Sequence, residues 1–303
     1  MKKLLLILIP SIICLSTYAQ DDLMDMLEEE EPAENYRVGP TWKTMKLVNL
    51  HSTSMVKKKG LDFRVTHRFG SIGKNSGGGV HNLYGLDISD DIRISFDYGI
   101  TEDLQIGVGR SKFSELIDGS IKYKVLAQKE RKVPLTVVVL GNMAITPQKA
   151  IDTRYDDWQN RLSYFTQLIV ARRFGDRISF ELAPGFLYRN LVLKTTDGEG
   201  NNLEDENSNL ALGFGGRFMI TKRVGLIVDY VYVVSDYREN YKPTAYYDPL
   251  GIGVEIETGG HVFHITMTNA AGIMENNYIP NTTANWADGG MKLGFNISRV
   301  FQF

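Results

Sequence analysis

The 303-residue sequence has a single cysteine, Cys14, and it lies inside an apolar N-terminal run. A chain cleaved after that run keeps no thiol. Disulfides, thiolate metal sites, thioether-linked haem and cysteine nucleophiles are therefore excluded. Beyond the same run, no stretch approaches the ~20 apolar residues of a transmembrane helix. There is no concentrated basic patch, so nucleic acid is not an expected partner. Catalytic signatures are absent too: there is no GxSxG motif, and no serine and histidine fall together on an outward strand face. No enzyme activity is expected. The glycines of SIGKNSGGGV (71–80) lack the GK[ST] ending of a phosphate loop and read as a flexible connection. His261 and His264 in TGGHVFHIT resemble a metal pair, but residues three apart on a strand point to opposite faces. Neither a metal nor any other cofactor is expected.

What is present begins with a leader. Lys2 and Lys3 precede LLLILIPSIICLS, and the stretch closes on Thr17-Tyr18-Ala19. Residues 1–19 read as a secretory signal peptide cleaved after Ala19. Ile13 stands before Cys14 where a lipobox has a small residue, so lipidation is not expected. Residues 20–40 form an acidic periplasmic tail: positions 21–34 carry eight acidic side chains and no basic one. With those eight and Lys2 and Lys3 set aside, the chain holds 32 basic and 28 acidic side chains. The tail offers a docking surface for a periplasmic partner.

From Leu61 onward the pattern has period two. LDFRVTHRF sets Leu61, Phe63, Val65, His67 and Phe69 against Asp62, Arg64, Thr66 and Arg68. LGIGVEIE sets Leu250, Ile252, Val254 and Ile256 against Gly251, Gly253, Glu255 and Glu257. One face is apolar, the other polar or glycine, as lipid-out, lumen-in strands require. Strands are predicted near 61–69, 92–99, 104–110, 119–127, 135–145, 162–173, 178–190, 209–220, 224–234, 250–257, 261–271 and 291–303. Their links alternate between short turns and long loops, and a soluble sandwich has no reason to sort loops by parity. The expected fold is all-β: a transmembrane antiparallel up-and-down β-barrel of about twelve strands over 61–303. An even strand count puts both ends on the periplasmic side with the short turns.

The last strand, GGMKLGFNISRVFQF, ends on Phe303 with an apolar face toward lipid. The final Phe resembles the signal read by barrel-assembly machinery, so that machinery and outer-membrane lipid are the expected partners. Deleting Phe301–Phe303 is expected to block membrane insertion; unchanged insertion in a membrane-fractionation assay would remove this reading.

The inward faces define the candidate functional surface. Expected lumen-lining residues are Asp62, Arg64, Arg68, Arg93, Asp97, Lys122, Lys124, Glu181, Arg189, Arg217, Asp229, Glu255, Glu257, His264 and Lys292. Mixed charge of this kind suits either an ion-paired closed interior or a polar pore. Val138, Leu140, Phe165, Ile169, Ile227 and Val231 make part of the inner wall apolar, and such a wall wants a cover. The segment 41–60 precedes the first barrel strand and is expected at the periplasmic mouth or in the lumen, with His51 the candidate plug residue. Loop aromatics (Tyr155, Trp158, Tyr237, Tyr241, Tyr246, Tyr247, Tyr278 and Trp286) suit sugar stacking or a headgroup girdle.

Several stretches resemble the domain-of-unknown-function family 5777 (DUF5777), outer-membrane barrels of Bacteroidota. They include VNLHSTSMVKKKGLDFRVTHRFG, FDYGITEDLQIGVGRS, IETGGHVFHITMTNA and GFNISRVFQF, and the resemblance spans most of 41–303. It implies a barrel and transfers no catalytic role to any position; His51, His67 and His261 fall within the family-like stretches. The expected function is a narrow channel or uptake barrel for a small polar solute in the outer membrane. Two alternatives stand beside it: a plugged scaffold for envelope proteins, and a barrel that handles lipid-like ligands.

Overall fold

The computed structural model describes residues 38–39, 41–130, 132–149, 153–192, 194–196, 202–241 and 243–303. The leader and most of the acidic tail lie outside these residues.

Alternation at period two does here what it must when one side of a strand faces apolar surroundings and the other a polar interior. Strands β1 (Gly60–Ser71), β2 (Ser89–Gly99), β3 (Leu104–Ser111), β4 (Ile117–Leu126), β5 (Thr136–Ile145), β6 (Leu162–Phe174) and β7 (Ile178–Arg189) follow one another as a meander. A small hairpin, β8 (Lys194–Thr196) and β9 (Asn202–Glu204), sits in the next loop. The meander resumes with β10 (Ser208–Met219), β11 (Val224–Val234), β12 (Leu250–Thr258), β13 (His261–Thr268) and β14 (Lys292–Gln302). Every pairing is antiparallel, and β14 meets β1 from Gly60↔Gln302 to Arg68↔Gly294, closing a twelve-strand barrel. Closure leaves no free edge strand, so the backbone of the wall pairs within the ladder apart from a few register shifts and overhanging strand ends.

The two faces divide cleanly. Ile94, Phe96, Val108, Ile121, Leu168, Phe180, Leu182, Val228, Ile252, Ile265 and Phe295 are exposed on the outside. A continuous apolar belt of this size suits lipid and would not persist in water. His67 belongs to that belt and stacks against Phe69, with ring centroids 4.2 Å apart. His261 lies beside Phe263 at 6.0 Å, on the face opposite His264.

The connections depart from simple parity in one place. At the end where the chain enters β1, the links are 100–103, 127–135, 175–177, 220–223 and 259–260. At the other end they are 72–88, 112–116, 146–161, 190–207, 235–249 and 269–291. The link 112–116, expected to be long, is a tight 3-10 turn shorter than 127–135 at the opposite end. In the Thr258–His261 turn, Gly259 and Gly260 take φ of 42° and 104°, values that L side chains rarely adopt.

Candidate functional site

The segment 41–56 enters the barrel and folds back within it. Leu47 N–H donates to Leu50 O (2.9 Å) and Ser52 N–H to Met45 O (2.9 Å), making a narrow hairpin with Val48 and Asn49 at its tip. Among the described residues, no backbone–backbone bond joins 41–56 to the wall, so the segment is not a thirteenth strand. Side chains hold it instead. The Asp229 carboxylate of β11 takes the amides of Val48 (2.9 Å), Asn49 (2.6 Å) and Leu50 (3.1 Å) on Oδ2, and Asn49 Nδ2 (2.7 Å) on Oδ1. Three successive amides around one carboxylate form an anion nest. Arg68 of β1 completes the grip from the acceptor side, donating to Val48 O (3.2 Å) and Asn49 Oδ1 (2.8 Å).

The wall is shaped to receive this tip. A Cβ added to Gly213 would lie 2.6 Å from Leu50 Cδ2, and one on Gly251 would lie 2.6 Å from Val48 Cβ. These glycines serve close approach, where any side chain would collide with the hairpin.

From the opposite end, the loop 269–291 turns into the lumen. Its helix, Glu275–Asn281, is buried from Glu275 to Pro280. Arg68 also donates to Ala270 O (3.1 Å) and to Gly272 O, so one guanidinium ties the hairpin to this loop. Lys46 Nζ meets Glu275 Oε1 at 3.1 Å and donates to Ile273 O (3.1 Å). His51 Nε2 lies 3.7 Å from Glu275 Oε2. Burial lowers the Lys46 ammonium from its ordinary value, with Glu275 opposing that shift. Burial first, then the cations of Lys46, Lys122, Arg93 and Arg64, push His51 well below its ordinary value. Between the two inserted segments, beside Arg64, Arg93 and Asp118, a cavity of about 20 Å³ remains. That is room for a water or two.

The inward-facing residues singled out in the sequence fall into three groups. Asp62, Arg64, Arg68, Arg93, Lys122, Glu181, Arg217, Asp229, Glu255, His264 and Lys292 are buried on the inner face. Many are paired across it: Arg64 with Asp62 (3.3 Å), Arg217 with Glu255 (3.3 Å), Lys292 with Asp90 (3.0 Å), and Arg93 with Asp118 in a two-pronged contact. His264 sits 3.4 Å from Glu255 and 3.3 Å from Thr44 Oγ1 of the inserted segment. Lys122 donates to Ser54 O (2.8 Å), and Asp97 accepts from Gln105 (3.0 Å), which in turn accepts Val56 N–H (2.9 Å). Lys124 pairs with Asp103 (3.8 Å) and Glu257 with Lys43 (2.7 Å), both toward the mouth where the hairpin enters. Arg189 belongs to the other rim, bound to Asp205 (3.0 Å) and Glu206 O (2.7 Å). The Glu181 carboxylate has no hydrogen-bond partner among the described residues.

The apolar band of the wall is covered by the chain itself. Leu50 of the hairpin and Tyr278 and Ile279 of the inserted loop join Leu140, Phe165, Leu187 and Val231 in one buried cluster. Tyr278 therefore belongs to the interior, whereas the sequence places it with the external aromatics. The sequence reading also missed Lys46, Asn49, Asp118 and Glu275. Only the low charge of TNAAGIMENNYIPNT signals that its loop is buried, since that stretch holds Glu275 as its single ionised group.

Among known families, the DUF5777 profile, described as a membrane-bound β-barrel domain, matches residues 42–301. Comparison with curated proteins gives no match. Among solved structures, the chain is similar to the NanC porin at TM-score 0.48 and 10% identity, over 80% of this chain and 99% of the porin. It is also similar to the KdgM porin (TM-score 0.42, 8% identity, 80% and 99% covered). A third similarity is to the outer membrane protein Omp33 of Acinetobacter baumannii (TM-score 0.41, 8% identity, 80% and 99% covered).

Proposed function

Since this chain belongs to the DUF5777 family of membrane-bound β-barrels, we propose that it is an outer-membrane channel for small polar solutes, closed at rest by its own N-terminal hairpin. One observation carries the reading: the lumen is filled by a segment that side chains hold and no strand pairing secures. A barrel built only as a scaffold gains nothing from a removable interior. The wall behind the hairpin carries Asp229, Glu181, Lys122, Arg217 and Glu255. Water and ions would wet those charges once the hairpin leaves, and mixed signs favour polar over apolar cargo.

The test is electrical. Full-length protein in a planar bilayer is expected to conduct rarely, and a form lacking residues 20–56 to conduct on the order of tenfold more, because a polar lumen freed of the hairpin admits ions past the remaining loop 269–291. Equal conductance from the two forms would argue that the barrel is not a hairpin-gated channel.

A further inference from the structure

A second cavity, outside the lumen, opens at the far rim. Strand β12 begins at Leu250 opposite Tyr230, while β11 runs on to Val234. Above Leu250 the place of a neighbouring strand is taken by the arc before it: Val231 N–H donates to Pro249 O (2.9 Å) and Val233 N–H to Asp248 Oδ1 (3.1 Å). The gap so formed is a cavity of about 630 Å³, within the size range of small-molecule sites.

The geometry points to a saccharide-binding site here, taking a short neutral or amino-bearing oligosaccharide. The floor is polar and fixed. Arg238, only 9% exposed, donates to Tyr247 O (2.6 Å) and reaches Asp248 Oδ1 (3.5 Å), and Tyr230 Oη donates to Asp248 Oδ2 (2.7 Å). The sides are aromatic: Tyr241 lies 6.0 Å from Tyr246, and Trp286 stands 48% exposed at the opening. A pyranose needs both kinds of surface. Its C–H face lies on an electron-rich ring, and its edge hydroxyls pair with carboxylate acceptors and guanidinium donors. Among the described lining residues, Asp248 and Glu239 stand against the single cation Arg238, so those residues offer an acidic sugar no surplus attraction. Tyrosines that merely anchor a barrel at the headgroup level need neither a cavity nor an ion-paired, buried arginine beneath them.

Two sources could present such a sugar: a soluble glycan, or the saccharide of an outer-leaflet glycolipid. Full-length protein in detergent would be titrated calorimetrically with maltotriose, with N,N′-diacetylchitobiose and with galactosylglycerol, the deacylated headgroup of a neutral glycolipid. Saturable binding is expected for at least one probe, weakened about tenfold or more, roughly 1.4 kcal/mol, by Trp286→Ala and by Tyr241→Ala. Binding of either of the first two probes assigns a soluble glycan, and binding of galactosylglycerol alone assigns the glycolipid. Heat-modifiable gel mobility would establish that both variants still form the barrel. If none of the three binds, or if both variants bind as tightly as the parent, the site is not a saccharide site.

Discussion

Asp229→Ala is expected to open the peptide bond after Lys46 to trypsin at a rate on the order of a thousandfold above the parent barrel. In the closed state one carboxylate satisfies three tip amides and the Asn49 side chain. Its loss leaves three buried backbone amides unpaired, with only Thr268 Oγ1 left to the Asn49 side chain, and removes one of the anions facing Arg68, at a cost of about 3–5 kcal/mol to the docked hairpin. The released hairpin recovers those bonds from water, so the penalty falls on docking rather than on the wall. The strand ladder around Asp229 is made by backbone groups, and heat-modifiable mobility should persist. Asp229→Asn, which keeps an acceptor but loses the charge, is expected to fall between the two. Cleavage after Lys46 at the parent rate in the alanine variant would show that the nest does not hold the hairpin in place.

The second large effect concerns the contact between the two inserted segments. Glu275→Gln strands the Lys46 ammonium, and Lys46→Met strands the Glu275 carboxylate; both groups are buried. Each single change is expected to destabilise the closed lumen by about 3–5 kcal/mol, and to raise open probability in planar bilayers accordingly. The double variant Lys46→Met/Glu275→Gln removes both charges and should be far less leaky than the sum of the singles predicts. That non-additivity is the signature of a direct pair. Simple additivity would mean that Lys46 and Glu275 act separately, with Ile273 O and His51 as the contacts that matter.

Much of this architecture is legible in the chain because a barrel wall writes its period directly into the sequence. Each predicted strand lies within a few residues of the observed one, from β1 to β14. Apolar and polar positions cannot exchange faces without placing charge in lipid. The lumen is less legible. Arg68 and Asp229 read only as inward charges, and nothing in their spacing says that one grips carbonyls and the other amides of the same turn. The hairpin pairs only with itself, through the Lys46↔His51 bridge, and among the described residues with no strand of the wall that would impose a period, so TWKTMKLVNLHSTS gives only extended character. Gly213 and Gly251 look like ordinary small inward residues until Leu50 and Val48 are seen against them. Glu275 was hidden by position, since a long loop is by default a solvent-facing one. The link 112–116 misled by the same logic in reverse.

The way the hairpin is tethered sets what each inserted element is able to do. Its incoming arm runs past Gln128, which accepts Val38 N–H, and past Ser179, which donates to Thr41 O. Its outgoing arm reaches the wall at Lys59, which donates to Gly99 O. Both arms thus pass through one mouth, so the insert is a bight of cord pushed into a tube, retractable with no end drawn through and no strand parted. The loop 269–291 is sewn at both hems, to Thr268 and to Lys292 of strands in the wall, and can swing but never depart. Under the channel proposed above, traffic would meet two obstructions of different kinds: one tethered so that it can withdraw along the axis, the other anchored so that it can only move aside.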